Sequence, residues 1–196
     1  MPQTESDAIV EYALRGPEQL ELVALTCQAY DQLCATLYSR FLTALAPVVR
    51  KRLGSEWSVQ IWPDTTDISK RWAIFLSARR ANRTDDLRID LGADERRFPK
   101  LPYLAIRATE GSTFGSLTKS DVFSKLNTTH RRGGTSEVSI WYWYFPPPFK
   151  YIGEVNDLKQ LLELTECLDY YGREIEATAQ VLEQTLGFRT PSSEPA

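Results

Sequence analysis

Histidine and methionine are nearly missing from this chain, each present once, and cysteine occurs three times in 196 residues. A single histidine, His130, argues against a multi-histidine metal centre and against histidine-dependent catalysis. Cys27 and Cys34 lie seven apart in a helical stretch, about 10 Å along the axis, too far for a disulfide. Cys167 stands alone in another helical stretch. All three read as small apolar side chains in a reducing compartment. No run approaches the ~20 apolar residues of a membrane span. The opening "MPQTESDAIVEYALRG" carries acids where a signal peptide needs a basic and then an apolar segment. The expected location is the cytoplasm, with no membrane, metal or cofactor.

What is present is ordinary in bulk, with 42% hydrophobic and 25% charged residues at net charge −3. The length suits one domain with a sizeable core. The expected organisation is a single domain over residues 1–188 and a disordered tail, "RTPSSEPA", over 189–196.

Gly16-Pro17 opens a long helix, because proline suits a first helical position. Val23, Cys27, Tyr30, Cys34, Leu37, Phe41, Ala44 and Val48 then recur at steps of four and three, an apolar seam. Pro47 predicts a kink near 43–46 or a break, and Gly54 closes the element. Four alternating runs follow at 56–62, 71–78, 87–92 and 102–108, separated by polar connectors suited to antiparallel pairing. A short helix is predicted from Leu117 to about Thr128, then a fifth strand, "EVSIWYWYF", ended by Pro146–Pro148. Asn156 caps a last long helix whose stripe includes Leu158, Leu161, Leu162, Leu168, Ile175, Leu182 and Leu186. The fold class is α+β: an antiparallel sheet of about five strands, packed on one face by two long helices, with a short helix inserted before the last strand.

Charge is uneven along this order. Residues 1–70 carry six Lys/Arg against nine Asp/Glu (net −3), 71–150 fourteen against eight (net +6), and 151–196 three against nine (net −6). The basic sheet and acidic last helix complement one another within the fold, or the sheet attracts an anionic partner.

The segment "SEVSIWYWYFPPPFKYIGE" holds seven aromatic side chains. In its strand, Ile140, Tyr142 and Tyr144 point one way and Trp141, Trp143 and Phe145 the other. One face meets the helices; the other lies against a partner, a ligand or the inserted helix. Opposite the apolar set of the earlier strands fall Phe75, Arg88, Tyr103 and Arg107, aromatics interleaved with arginines. Such a surface stacks bases while neutralising phosphates.

Catalytic motifs do not survive inspection. The element order is similar to the core order of the PD-(D/E)xK nuclease superfamily, with Pro63-Asp64 before the second strand and Asp90 on the third. Leu91 and Gly92 follow Asp90, where the motif needs a lysine, so the resemblance implies an inactive relative at most. "EGSTFGS" (110–116) lacks the lysine of a phosphate loop. Ser136 or Ser139 with His130 lacks a glycine-framed elbow. No catalytic residue is assigned.

The leading expectation is a non-catalytic interaction protein acting through the long helices and the aromatic–proline strand. Its contacts would be Trp141, Trp143, Phe145, Phe149 and Tyr151, and its partner another protein or a second copy. The alternative is a nucleic-acid-binding module using Phe75, Arg88, Tyr103, Arg107, Arg131, Arg132 and Trp143.

Overall fold

The computed structural model describes residues 5–61, 73–80, 87–94, 101–108, 116–149 and 155–186. The tail at 189–196 lies outside them. Ten elements follow in order: α1 (Glu5–Ala13), α2 (Pro17–Leu53), β1 (Trp57–Ile61), β2 (Ala73–Arg80), β3 (Leu87–Asp94), β4 (Leu101–Ala108), α3 (Ser116–Thr129), β5 (Trp141–Tyr144), α4 (Val155–Leu162) and α5 (Thr165–Thr185). The five strands form one antiparallel sheet in the order β1-β2-β3-β4-β5. The chain is thus α+β, as the alternating runs predict.

Helix α2 begins with Pro17 at its first positions and ends at Gly54, whose φ of 75° and N–H bond to the Arg50 carbonyl (3.0 Å) stop the helix. Glu18 in the first turn and Arg50, Lys51 and Arg52 in the last suit the helix dipole. The break expected at Pro47 does not occur, and the helix runs through all 37 residues. Pro47 is exposed, and the carbonyl it leaves without a donor belongs to Thr43, also exposed, where water can bond it.

The seam of α2 is displaced from its predicted line. The buried stripe is Cys34, Leu37, Tyr38, Phe41, Leu42, Leu45, Ala46 and Val49, while Cys27 is exposed. A strict seven-residue repeat drifts about 20° per heptad on a straight helix, so a seam drawn from Val23 to Val48 rotates off the core. No residue of α2 before Cys34 is buried, among those described.

The predicted last helix is two. Leu161 at the end of α4 and Cys167 at the start of α5 are both buried. Six residues on a continuous helix place side chains about 120° apart; here the axis breaks at 163–164, and each side chain reaches the core from its own helix. Helices α2 and α5 cross at Gly172, where an added Cβ would lie 3.1 Å from Val48 Cγ1 and 3.0 Å from Arg52 Nε. Arg52 bridges the crossing to Asp169 (2.6 Å) and Glu176 (2.8 Å), and Phe41 meets Tyr171 edge-on at 5.1 Å.

Side chains alternate across the sheet as its register requires. Ala78, Ile89, Ile106 and Trp141 form one cross-strand row; Leu76, Leu91, Leu104 and Trp143 form the next. These rows face α2, α4 and α5 in one apolar cluster that also takes in Val122 and Leu126 of α3. The inserted helix therefore packs on the same face as the long helices, against α5 and β5.

Candidate interaction surface and the polar sheet face

The aromatic segment is largely consumed inside the chain. Trp141 is fully buried, and its indole N–H donates to the Arg131 carbonyl at 3.2 Å. Phe145 is buried 4.5 Å from the Tyr171 ring, Phe149 stacks on Tyr170 at 4.2 Å, and the half-buried Trp143 lies 4.9 Å from Phe145. Of the five residues expected at a partner surface, Trp141 and Phe145 have no free face. Phe149 and Trp143 are partly covered, and Tyr151 lies outside the described residues.

Residues expected at a nucleic-acid surface are divided between the two sheet faces. Trp143 is on the helix side, with the Arg131 guanidinium 5.2 Å above its ring. Arg131 also pairs with Glu174 of α5 at 2.6 Å, and that bond raises its already high pKa. Arg132 is exposed next to it. Arg88, Tyr103 and Arg107 are on the opposite face. Phe75 is the extra residue of a bulge between Ile74 and Leu76, and its side chain lies outside the described set.

That opposite face is a polar network. The register puts Arg79, Arg88 and Arg107 in one row across β2, β3 and β4, and Ser77, Asp90, Ala105 and Tyr142 in the next. Asp90 is fully buried. It accepts hydrogen bonds from the Ser77 hydroxyl and from Arg88 Nε (2.9 Å), and lies 3.6 Å from Arg107 Nε. Burial pushes its carboxyl up, against the pull of Ser77 and both arginines. Arg107 Nη2 donates to the Tyr103 hydroxyl at 3.1 Å, and Tyr144 donates to Asp94 at 3.1 Å. Tyr103 is 1% exposed, so its ring offers no open stacking platform.

The nuclease-like acids do not meet here. Asp90 is held by a hydroxyl and two guanidiniums, and Pro63-Asp64 lies outside the described residues. No group of three His, Cys, Asp or Glu side chains able to hold a metal is found among the described residues. His130 Nε2 is 3.1 Å from the Thr178 hydroxyl, while Ser136 and Ser139 bond one another, so the imagined serine–histidine pair is not assembled.

The feature that sequence reasoning missed is at the N-terminus. Helix α1 packs on α2. Of the ten large hydrophobic residues exposed among those described, eight fall here: Ile9, Val10, Tyr12, Leu14, Leu20, Leu22, Leu25 and Leu33. Leu22, Leu25, Ala29 and Leu33 follow one another at helical spacing beside the predicted seam. All four are exposed. That second stripe was the available signal. Residues 5–33 carry six acids (Glu5, Asp7, Glu11, Glu18, Glu21, Asp31) against Arg15, net −5. Residues 17–33 of α2 extend about 25 Å at 1.5 Å per residue before the first buried side chain.

Fold and surface together define an α+β protein with an antiparallel meander sheet and an apolar, acidic helical pair at one end. The chain matches no protein-family model, no curated protein and no solved structure at significant similarity. Among the described residues no helix is long and apolar enough to cross a membrane.

Proposed function

We propose that this is a non-catalytic interaction protein of the cytoplasm whose contact surface is the helical pair formed by α1 and the first half of α2. The observation that carries the reading is the concentration of exposed large apolar side chains between Ile9 and Leu33. Helices in proteins draw most of their stability from packing an apolar face, and here much of that face is left in water. Exposed apolar side chains concentrated in this way favour an interaction site. Its rim selects the partner. At net −5, two copies of the pair would repel one another, whereas a partner with an apolar centre and a lysine- or arginine-rich rim is attracted. The three free cysteines, with Cys27 exposed, suit a reducing compartment.

The test uses a short amphipathic lysine–leucine peptide as probe, titrated by fluorescence anisotropy. Leu22→Gln with Leu25→Gln, which removes apolar surface without adding charge, should weaken binding by about tenfold or more, since each buried leucine contributes roughly 1.5–3 kcal/mol. Val138→Glu, on an exposed residue of the far loop, should leave binding unchanged. Equal affinity in all three proteins would overturn the reading. Light scattering should give a monomer. A concentration-dependent dimer lost on Leu22→Glu would instead assign the surface to a second copy.

Nucleic-acid binding at the sheet face is the second reading, favoured by the row Arg79, Arg88 and Arg107. It requires salt-sensitive oligonucleotide binding that weakens on Arg88→Ala. No binding at low salt removes it.

A further inference from the structure

A cavity of about 520 Å³ opens on the polar side of the sheet at its β4–β5 end, lined among the described residues by Tyr103, Arg107, Ser136, Glu137, Val138, Ser139 and Tyr142. It is separate from the N-terminal helical pair and independent of the proposal made for that pair. Its volume is that of a small-molecule site, and its walls are mostly apolar.

The register explains how the walls come together. Arg107 and Tyr103 project from β4 to the side away from the helices, and Tyr142 projects from β5 beside them, opposite Ala105. Ala105 lies between Tyr103 and Arg107 on the same face of β4, its side chain small. The fourth wall is a tight turn: the Ser136 N–H donates to the Ser139 carbonyl (3.0 Å), and the Ser139 N–H donates to the Ser136 hydroxyl (3.1 Å). These bonds fix the loop that holds Glu137 and Val138, and they bury Ser139 to 6% exposure.

Hydrogen-bonding capacity in this cavity is unspent. Arg107 has five N–H donors. One bonds the Tyr103 hydroxyl, and Nε lies 3.6 Å from Asp90, buried and without a hydrogen-bond partner. Nη1 donates to no described residue. The hydroxyls of Ser139 and Tyr142 likewise make no hydrogen bond to a described residue. Of these donors only Arg107 Nε is cut off from water; the others open into the cavity, where a ligand acceptor can take the place of water.

Three donors and flat apolar walls suit an acceptor-only, planar, anionic group on a hydrophobic body. Arg107 presents a fork that matches a carboxylate. The charge count separates a carboxylate from a phosphate ester. Arg88 pairs with Asp90 at 2.9 Å and so leaves the Arg107 charge for a ligand; one negative charge matches it, and the exposed Glu137 at the rim opposes a second. We infer that this cavity is a binding site for a small aromatic monocarboxylate. Its carboxylate lies on Arg107, Ser139 and Tyr142, and its ring lies between Tyr142 and Val138.

The test is isothermal titration calorimetry of the full chain with 2-naphthoate, 2-naphthamide and 2-naphthyl phosphate. The carboxylate should bind, and the neutral amide and the doubly charged phosphate should each bind about tenfold or more weakly. Tyr142→Phe and Ser139→Ala each delete one donor without uncovering a bonded partner, so both variants fold, and each should weaken 2-naphthoate severalfold. Arg107→Gln should abolish binding; because it also touches Asp90, its fold is checked by circular dichroism and the two hydroxyl variants decide the outcome. Absence of 2-naphthoate binding at millimolar concentration overturns the inference. So does equal binding of the amide, or affinity unchanged in both hydroxyl variants.

Discussion

His130 shows how much one side chain can depend on its surroundings. Its side chain is 8% exposed, with Nε2 3.1 Å from the Thr178 hydroxyl and 3.7 Å from a Glu174 oxygen; Arg131 is its neighbour and the Trp141 ring lies 5.9 Å away. Burial holds the imidazole below its usual value, outweighing the pull of Glu174, and Arg131 adds to the depression. A histidine harder to protonate in the fold leaves the unfolded chain binding the extra proton as pH falls. Its contribution to stability is therefore complete above the unfolded value of 6.5 and is lost as pH falls through the lower folded value. Asp90 acts in the opposite sense: a carboxyl raised by burial favours the fold as it becomes protonated, and that gain is lost as pH rises through its folded value. Comparing the urea midpoint at about pH 7.5 and about pH 5.5 in the natural chain and in His130→Gln isolates the histidine. The natural chain should lose more stability on acidification than the variant. Equal losses would show that His130 is not held neutral by the fold.

At the scale of elements, the join between α3 and β5 is tightly fixed. The His130 and Arg131 amides both bond the Leu126 carbonyl, Gly133 donates to the Asn127 side chain at 2.7 Å, and Gly134 exchanges two backbone bonds with Tyr142. A Cβ on Gly133 would overlap Trp141 Nε1 and the Tyr142 carbonyl oxygen, closer than packed atoms approach. One contact is to backbone, so the strand itself would have to move. Gly133→Ala should therefore cost about 1–3 kcal/mol, read as a lowered urea midpoint at unchanged slope. A midpoint equal to that of the natural chain would mean the loop yields freely. The pattern of agreement is physical too. The α3 helix and all five strands were legible because alternation and flanking polar connectors are local signals. Trp141 and Trp143 could be assigned to a common face for the same reason, but which face meets the helices is decided by partners distant in sequence. The break at 163–164 was not legible, because "LLELTEC" holds neither a proline nor a glycine to stop a helix. The cavity escaped notice because Tyr103, Arg107 and Tyr142 meet the Ser136–Ser139 turn only after β4 and β5 pair.

The whole molecule divides into a body and a projection. Buried side chains of α2 begin at Cys34, and the body beyond it ties sheet to helices with Trp57 and Arg80 on Glu183, Arg52 on α5, and Arg131 on Glu174. The acidic last helix and basic sheet do complement one another at these contacts, which places part of the +6 surplus inside the fold. The projection keeps Leu20, Leu22, Leu25 and Leu33 in water. Stability within one chain follows the density of buried contacts, so opening should be cheap in the projection and approach the global unfolding energy in the body. Hydrogen exchange followed by mass spectrometry should show amides of residues 17–33 exchanging well before those of 34–53, although both belong to one continuous helix. Replacing Leu22 and Leu25 by glutamine should leave the unfolding free energy from urea titration within about 0.5 kcal/mol of that of the natural chain, as exposed positions do. A partner that covers the leucines should slow exchange at 5–33 without altering the slow amides of β3 and β4. Uniform protection along α2 in the isolated chain would mean that the helical pair is already satisfied. In that case its apolar side chains would need no partner, and the proposed interaction surface would lose its physical basis.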